Sequence, residues 1–436
     1  MLARMLPLMV VAAVLAFIAA GCGGGDETSE AAATGGGSSN EKVTLTVGLF
    51  GTFGYKEAGL YDEYMQLHPN ITIKETSVEQ EQEYYQALQT HLAAGSGLSD
   101  VQGIEVGRIA EVVQTQADKF VNLNDLGADS MKDSFFPWKW QAATTADGAT
   151  IGLGTDTGPL AICYRADLFK KAGLPTDREK LASMWPDWDS FIEVGKQYMA
   201  NAPKGSAFMD SGSGLYNAVI GQSETQYYDA DGNTIYESNP AVKNAWNIAM
   251  QAIANNETAK LKQFDPAWNQ AFANGGFATI ACPAWMIGYI KGQAGDSGSG
   301  KWDVAKIPGN GGNWGGSYLA VPTASQHQKE AYDLVQWLTA PEQQVKMWTS
   351  AQHFPSSSAA SADSAVEAAT DEYFSNAPIG ELFKESADEL PIATLGPKDG
   401  VIKDTISNGI LRVEQQGQDP DEAWSKTVDD IKNAIE

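Results

Sequence analysis

A chain of 436 residues is long for one hydrophobic core and comfortable for two, so a two-lobed body is expected. Its 55 acidic against 29 basic residues leave a formal charge of −26, which excludes nucleic acid or an anionic membrane as partners of the body, since neither tolerates an acidic surface. Charged residues are only 19% of the chain while aromatics reach 10%, with 12 Trp and 15 Tyr, so this is no disordered acidic chain, and the aromatic supply suits a neutral, flat-faced ligand.

The chain begins with an apolar run over 6–20 behind Arg4, shorter than the about 20 residues that a spanning helix needs. It ends in Ala19-Ala20-Gly21-Cys22. Small residues directly before a cysteine resemble a bacterial lipoprotein signal, in which residues 1–21 are removed and Cys22 is acylated. Ala19 departs from the Leu that such signals prefer. Residues 22–41 are small and polar and compose a flexible tether, so the body is expected on the extracytoplasmic face of the cell membrane, held by lipid. With Cys22 modified, Cys163 and Cys282 remain, either as the disulfide of an exported protein or as two buried thiols.

Val43, Leu45, Val47 and Leu49 alternate with other residues and predict a first strand, followed by the loop Gly51-Thr52-Phe53-Gly54-Tyr55. Leu60, Tyr64 and Leu67 mark a helix stopped by Pro69, and Ile71 and Ile73 open a second strand, so a βαβ unit and a parallel sheet are expected. A helix through Tyr84, Leu88 and Leu92 precedes a strand over 100–105, which places Glu105 and Arg108 at a strand-to-helix turn. Aromatics crowd over 135–140. The extended segment 151–164 is broken at Gly158-Pro159, where the chain is expected to leave one sheet for another with Asp156 at the crossing. A helix over 186–198 starts near Asp187 or Asp189, and Ser211-Gly212-Ser213-Gly214-Leu215-Tyr216 has the composition of a ligand-facing loop.

The stretch 264–289 reads as a helix with Trp268 and Phe272 on one face, a Gly275-Gly276 break, a strand over 277–282, and a corner that parks Trp285 at a strand end. Carboxyl ends of strands are where ligands gather in α/β folds, so Trp285 is a binding candidate with core packing as its rival reading. A strand over 302–307 follows, then Trp314 before Gly315-Gly316, a helix through Ala331, Leu334, Val335 and Leu338, and helices to the end.

Signs of catalysis are weak. His68, His91, His327 and His353 are scattered without metal-ligand spacing, and no nucleophile elbow or phosphate loop is present, so no cofactor, metal or enzymatic activity is expected. What remains is a set of aromatics and carboxylates at strand ends, including Phe53, Glu105, Asp156, Tyr216, Trp285 and Trp314. Trp and Tyr cover the C–H faces of a sugar ring, and carboxylates and Arg bond its hydroxyl rim.

Several segments together resemble the extracellular solute-binding proteins of carbohydrate ABC importers, family 1, the maltose-binding-protein-like group. They are GTFGYKEAGLYDEYMQLHPNITI, LSDV at 98–101, ICYRADLFKKAGLP, WPDWDSF, FANGGFATIACPAW, NWGGSYLAVP and AYDLVQWLTAPEQQ, in this order. The resemblance implies a two-lobed α/β fold, each lobe a mainly parallel sheet flanked by helices, with three crossings between lobes. It implies lobe 1 over 42–157 and 318–362, and lobe 2 over 158–317 and 363–436. Carried over by position, Thr52, Phe53, Glu105, Arg108 and Asp156 would form the first lobe's side of the cleft, Tyr216 and Trp285 the second's, and Trp314 the second crossing. Gly107 stands where maltose-binding protein has a carboxylate, which puts the particular sugar in doubt. The expected function is a lipid-anchored, monomeric receptor for a mono- or oligosaccharide, serving the permease subunits of an ABC importer. The alternatives are a receptor for a neutral or cationic non-sugar solute, and a secreted glycoside hydrolase, whose carboxylate pair no sequence reveals.

Overall fold

The computed structural model describes residues 41–436; the expected signal segment, Cys22 and nearly all of the expected tether lie outside the described residues. Eleven short strands carry the architecture: β1 (Val43–Phe50), β2 (Ile71–Val78), β3 (Val101–Glu105), β4 (Gly152–Gly154), β5 (Asp156–Thr157), β6 (Leu160–Arg165), β7 (Ala207–Met209), β8 (Phe277–Pro283), β9 (Trp302–Lys306), β10 (Ser317–Ala320) and β11 (Phe354–Pro355). They form a five-stranded sheet in the order β2-β1-β3-β10-β4, a four-stranded sheet in the order β7-β8-β6-β9, and a two-stranded ribbon of β5 and β11. Helices cover both sheets. All six residues of β6 are buried, as a strand covered on both faces requires.

The expected parallel character holds in strand direction, with one exception in each sheet. β1 runs parallel to β2 and to β3, whereas β10 is antiparallel to both of its neighbours. In the second sheet β7 and β8 are parallel, and β6 is antiparallel to β8 and to β9. The reversed strands are the two that have just arrived from the other sheet. A strand entering from the cleft starts at the edge where its neighbours end, so it can only run backwards. The register shows this directly: Ser317, first in β10, pairs with Glu105, last in β3, and Leu160, first in β6, pairs with Pro283, last in β8.

The carboxyl ends of both sheets therefore converge on residues 154–160 and 313–317. There Gly158 N–H donates to Asn313 Oδ1 at 2.9 Å, Trp314 N–H donates to the Gly158 carbonyl at 2.9 Å, and β11 pairs with β5 as a third passage. Cys163 and Cys282 are bonded to each other, with Cα atoms 5.4 Å apart, which decides between the two readings of the pair in favour of the disulfide. The cross-link spans 119 residues of sequence inside the second body and stabilises it by roughly 2–4 kcal/mol through the unfolded chain.

Composition overstated the aromatic surface. Trp185, Trp246, Trp268, Trp302 and Trp348 are all but wholly buried, because a large ring removes more apolar area from water than any other side chain. The stretch 211–216 is a second correction, since Ser211 caps a helix, Gly212–Ile220, by accepting from Gly214 N–H at 3.0 Å. Every residue of that helix is buried, so packing overrides the loop preference of its Gly and Ser residues.

Candidate functional site

A cavity of ≈ 110 Å³ lies where the two sheet bodies meet. From the first body come Val106 and Gly107, at the start of the helix Val106–Thr115, and Trp138 on the short helix Pro137–Ala142. The second body supplies Asn217 and Ile220, one turn apart on the helix Gly212–Ile220, and Tyr227 beyond it. Asn313, Trp314 and Gly315 of the crossing form the back, residues 390–395 a strap on one side, and Asp399 and Lys403 the start of the helix Asp399–Gln416. Ile392 lines the cavity while 62% exposed, so the space opens to solvent beside it.

The polar groups of the cavity are incompletely used. Asn217 Oδ1 and Asp399 Oδ1 are buried and have no hydrogen-bond partner, although such atoms are costly to leave unpaired. Asp399 Oδ2 accepts from Gly396 N–H at 3.1 Å. Burial pushes the Asp399 carboxyl up to about 7, the Glu105 charge across the cleft adds to that, and Gly396 N–H and Lys403 oppose it. Two unpartnered acceptors between Trp138, Tyr227 and Trp314 can receive hydroxyl or amine protons from a ligand whose apolar faces lie on the rings.

The residues singled out in the sequence occupy different positions around this space. Trp314 lines it. Trp285 stands behind Trp314: its Nε1–H donates to the Trp314 carbonyl at 3.0 Å, the two rings meet edge to face at 5.8 Å, and Phe264 stacks on it at 6.3 Å. Tyr216 is wholly buried and does not line the cavity; its hydroxyl lies 3.2 Å from that of Tyr227, which does. The expectation that Tyr216 faces a ligand from a loop fails because the helix turns it into the core and presents Asn217 instead.

Glu105, half-buried at the end of β3, accepts from Gly107 N–H at 2.5 Å and so caps the helix that follows. A Cβ at Gly107 would lie 2.8 Å from Glu105 Oε2, so a side chain there would displace the capping carboxylate. Asp156 ties the crossing together by accepting from Ser317 N–H at 3.0 Å and Thr155 Oγ1 at 2.7 Å, with His353 Nδ1 at 3.5 Å. Burial alone would raise its carboxyl, but His353, Lys139 and Thr155 hold it below the ordinary carboxylate range. Arg108 is buried, and its guanidinium is taken up by Glu81 and Asp404. Phe53 packs into the core of the first body beside Phe50 and Tyr55, and Thr52 is exposed. Neither lines the cavity.

Sequence reasoning missed Trp138, Asn217, Tyr227 and Asp399. The aromatic crowd at 135–140 was a signal for the first, and a helical reading of 212–220 would have placed Asn217 and Ile220 on one side. Nothing local marks Asp399.

Comparison with known proteins agrees with this architecture. Residues 59–374 match the family model for bacterial extracellular solute-binding proteins. A lactose-binding protein of Rhizobium radiobacter is 29% identical over 299 residues, 66% of this chain and 67% of that protein. An arabinooligosaccharide-binding protein of Bacillus subtilis (strain 168) is 23% identical over 303 residues, 66% of this chain and 62% of the relative. A crystal structure of an extracellular solute-binding protein of family 1 superposes with a TM-score of 0.77 at 41% identity, covering 90% of this chain and 100% of the other. Among the described residues no helix is long and apolar enough to cross a membrane.

Proposed function

The chain belongs to the bacterial extracellular solute-binding proteins, a family of binding proteins rather than enzymes, and from that premise we propose that it is a receptor that closes two lobes on a mono- or oligosaccharide and delivers it to the permease subunits of an ABC importer. The observation that carries the ligand class is the pairing of aromatic walls with unpartnered acceptors: Trp138, Tyr227 and Trp314 around Asn217 Oδ1 and Asp399 Oδ1. Apart from Asp399 and Lys403 the side chains that line the cavity are uncharged, which suits a ligand without net charge. At about 30 Å³ per water the cavity has room for roughly four, less than a sugar ring with its hydroxyls, so a bound saccharide would extend past Ile392, where the space opens. The lactose-binding and arabinooligosaccharide-binding relatives support the same class.

In this reading residues 42–157 with 318–362 move as one lobe and 158–317 with 363–436 as the other, about the passages at 154–160, 313–317 and β11. Glu105, Asp156, Tyr216 and Trp285 hold the wall residues in place, while Thr52 and Phe53 border the first lobe's edge. Cys22 carries the lipid that keeps a monomeric body at the outer face of the cell membrane. The test is a thermal-shift screen of mono- and oligosaccharides, because a ligand bound only by the folded state raises the melting temperature by mass action. A dose-dependent rise with a saccharide is the expected result. No rise with any saccharide, together with a rise for a polyamine or another cationic solute, would end the sugar reading.

A further inference from the structure

Beside the cavity, a chain of charged groups joins the two bodies. Glu81, Tyr85, Arg108 and Glu111 stand on the helices Glu81–Ala94 and Val106–Thr115, which pack through Tyr84, Leu88, Ile109 and Val112 into a core of the first body. Lys398, Gly400 and Asp404 belong to the helix Asp399–Gln416 or its first flanking residue, and that helix packs through Ile402, Ile406 and Ile410 into the core of the second. Arg108 Nη2 lies 3.0 Å from Glu81 Oε2 within its own body and 2.7 Å from Asp404 Oδ2 in the other. Its guanidinium stacks over the Tyr85 ring at 4.6 Å, Tyr85 OH donates to Glu111 Oε2 at 2.7 Å, and Glu111 Oε1 accepts from Lys398 Nζ at 2.6 Å. Two ion pairs thus bridge the bodies, connected through one aromatic ring.

Gly400 makes the first of them sterically open. A Cβ at this position would overlap Arg108 Nη1, so the helix passes under the guanidinium only because residue 400 has no side chain. Glycine is a poor helix former, and here it clears the path from Arg108 to Asp404. Gly107 and Lys403, the chain neighbours of Arg108 and Asp404, line the cavity, so the bridge sits at its rim. Arg108 is buried, and with Asp404 withdrawn it would keep Glu81 as a partner. That leaves a bridge which can break without stranding a charge in a dry interior.

We propose that Arg108–Asp404 and Glu111–Lys398 form an ion-pair latch that sets the balance between open and closed arrangements of the two lobes, with Arg108 a positioning residue for ligand retention. Its effect on affinity rests on the saccharide reading of the cleft; its effect on closure does not. The latch biases closure before any ligand arrives, and a ligand released from a latched cleft must wait for both pairs to part.

The experiment is small-angle X-ray scattering on the ligand-free full chain, comparing the unaltered protein with Asp404→Asn, Glu111→Lys and the exchange Glu111→Lys/Lys398→Glu. Asp404→Asn leaves the Arg108–Glu81 pair in place, and far-ultraviolet circular dichroism checks that each variant is folded. The latch requires a larger radius of gyration for the two single variants and a return to the original value for the exchange, which restores one attraction with its charges reversed. An unchanged radius in all three variants, or an exchange no more compact than Glu111→Lys alone, overturns it. Because no ligand enters the measurement, either result stands apart from the outcome of the saccharide screen.

Discussion

Trp138 and Trp285 illustrate how two tryptophans near one cleft come to have different work. Trp138 is half-buried and presents its ring to the cavity from the first body, while Trp285 is braced between Phe264 and the Trp314 carbonyl. Trp138→Ala is therefore expected to weaken saccharide binding by ~2 kcal/mol or more, read by isothermal titration calorimetry, with the melting temperature little changed. Trp285→Ala should do the reverse, lowering stability by ~2–4 kcal/mol before it affects affinity, since its ring is part of the packing that holds Trp314. A Trp285 variant with native stability and lost affinity would place the ligand against that ring. Trp314 was legible in the sequence because it precedes Gly315-Gly316 and because the family resemblance put the second crossing there. Trp138 stood only in an aromatic crowd, and residues in such crowds divide between core and cleft by which way a helix turns.

The crossing segments are the elements on which any hinge depends, and they are laced by backbone groups together with the Asn313 and Asp156 side chains. Gly158 N–H meets Asn313, the Gly158 carbonyl meets Trp314 N–H, and a Cβ on residue 158 would overlap the Trp314 carbonyl. Gly158→Ala must push the two passages apart, so we expect a loss of about 1–3 kcal/mol in urea unfolding, the ordinary cost of overpacking, together with weaker ligand binding. A stability within about 0.5 kcal/mol of the original would show that the passages have slack. Gly158-Pro159 announced a break in the strand, and the structure places the crossing there. The length of β6, its reversed direction and its disulfide partner were beyond reach of local pattern, because they are set by what the strand meets on arrival.

Over the whole molecule, the excess of acid shapes the response to pH. Burial raises Asp210 to about 6 and Glu257, Asp399 and Glu414 to about 7, in each case as the leading cause. In the unfolded chain these groups ionise near pH 4. Between about pH 4 and 7 the unfolded state has therefore released protons that the folded state keeps, and stability falls as pH rises through that window. Repulsion within a chain of formal charge −26 acts in the same direction. Asp100 and Asp156, held below the ordinary range by their partners, work oppositely but only at lower pH. The urea midpoint is expected to be higher at pH 5 than at pH 7.5. A midpoint that climbs over this interval would mean that the buried carboxyls are ionised and paired.

At every scale the division follows the range of the interaction. Strand alternation, helix stripes, the first βαβ unit, the sheet change at Gly158-Pro159 and the family were written in neighbouring residues, since period and turn chemistry act over a few positions. Tertiary structure alone decided which face of the helix Gly212–Ile220 looks into the cleft, that Asp399 lies among the residues lining it, and that Arg108 is paired with Glu81 and Asp404. Those contacts join residues up to hundreds of positions apart, and only the docking of two separately packed cores brings them within reach.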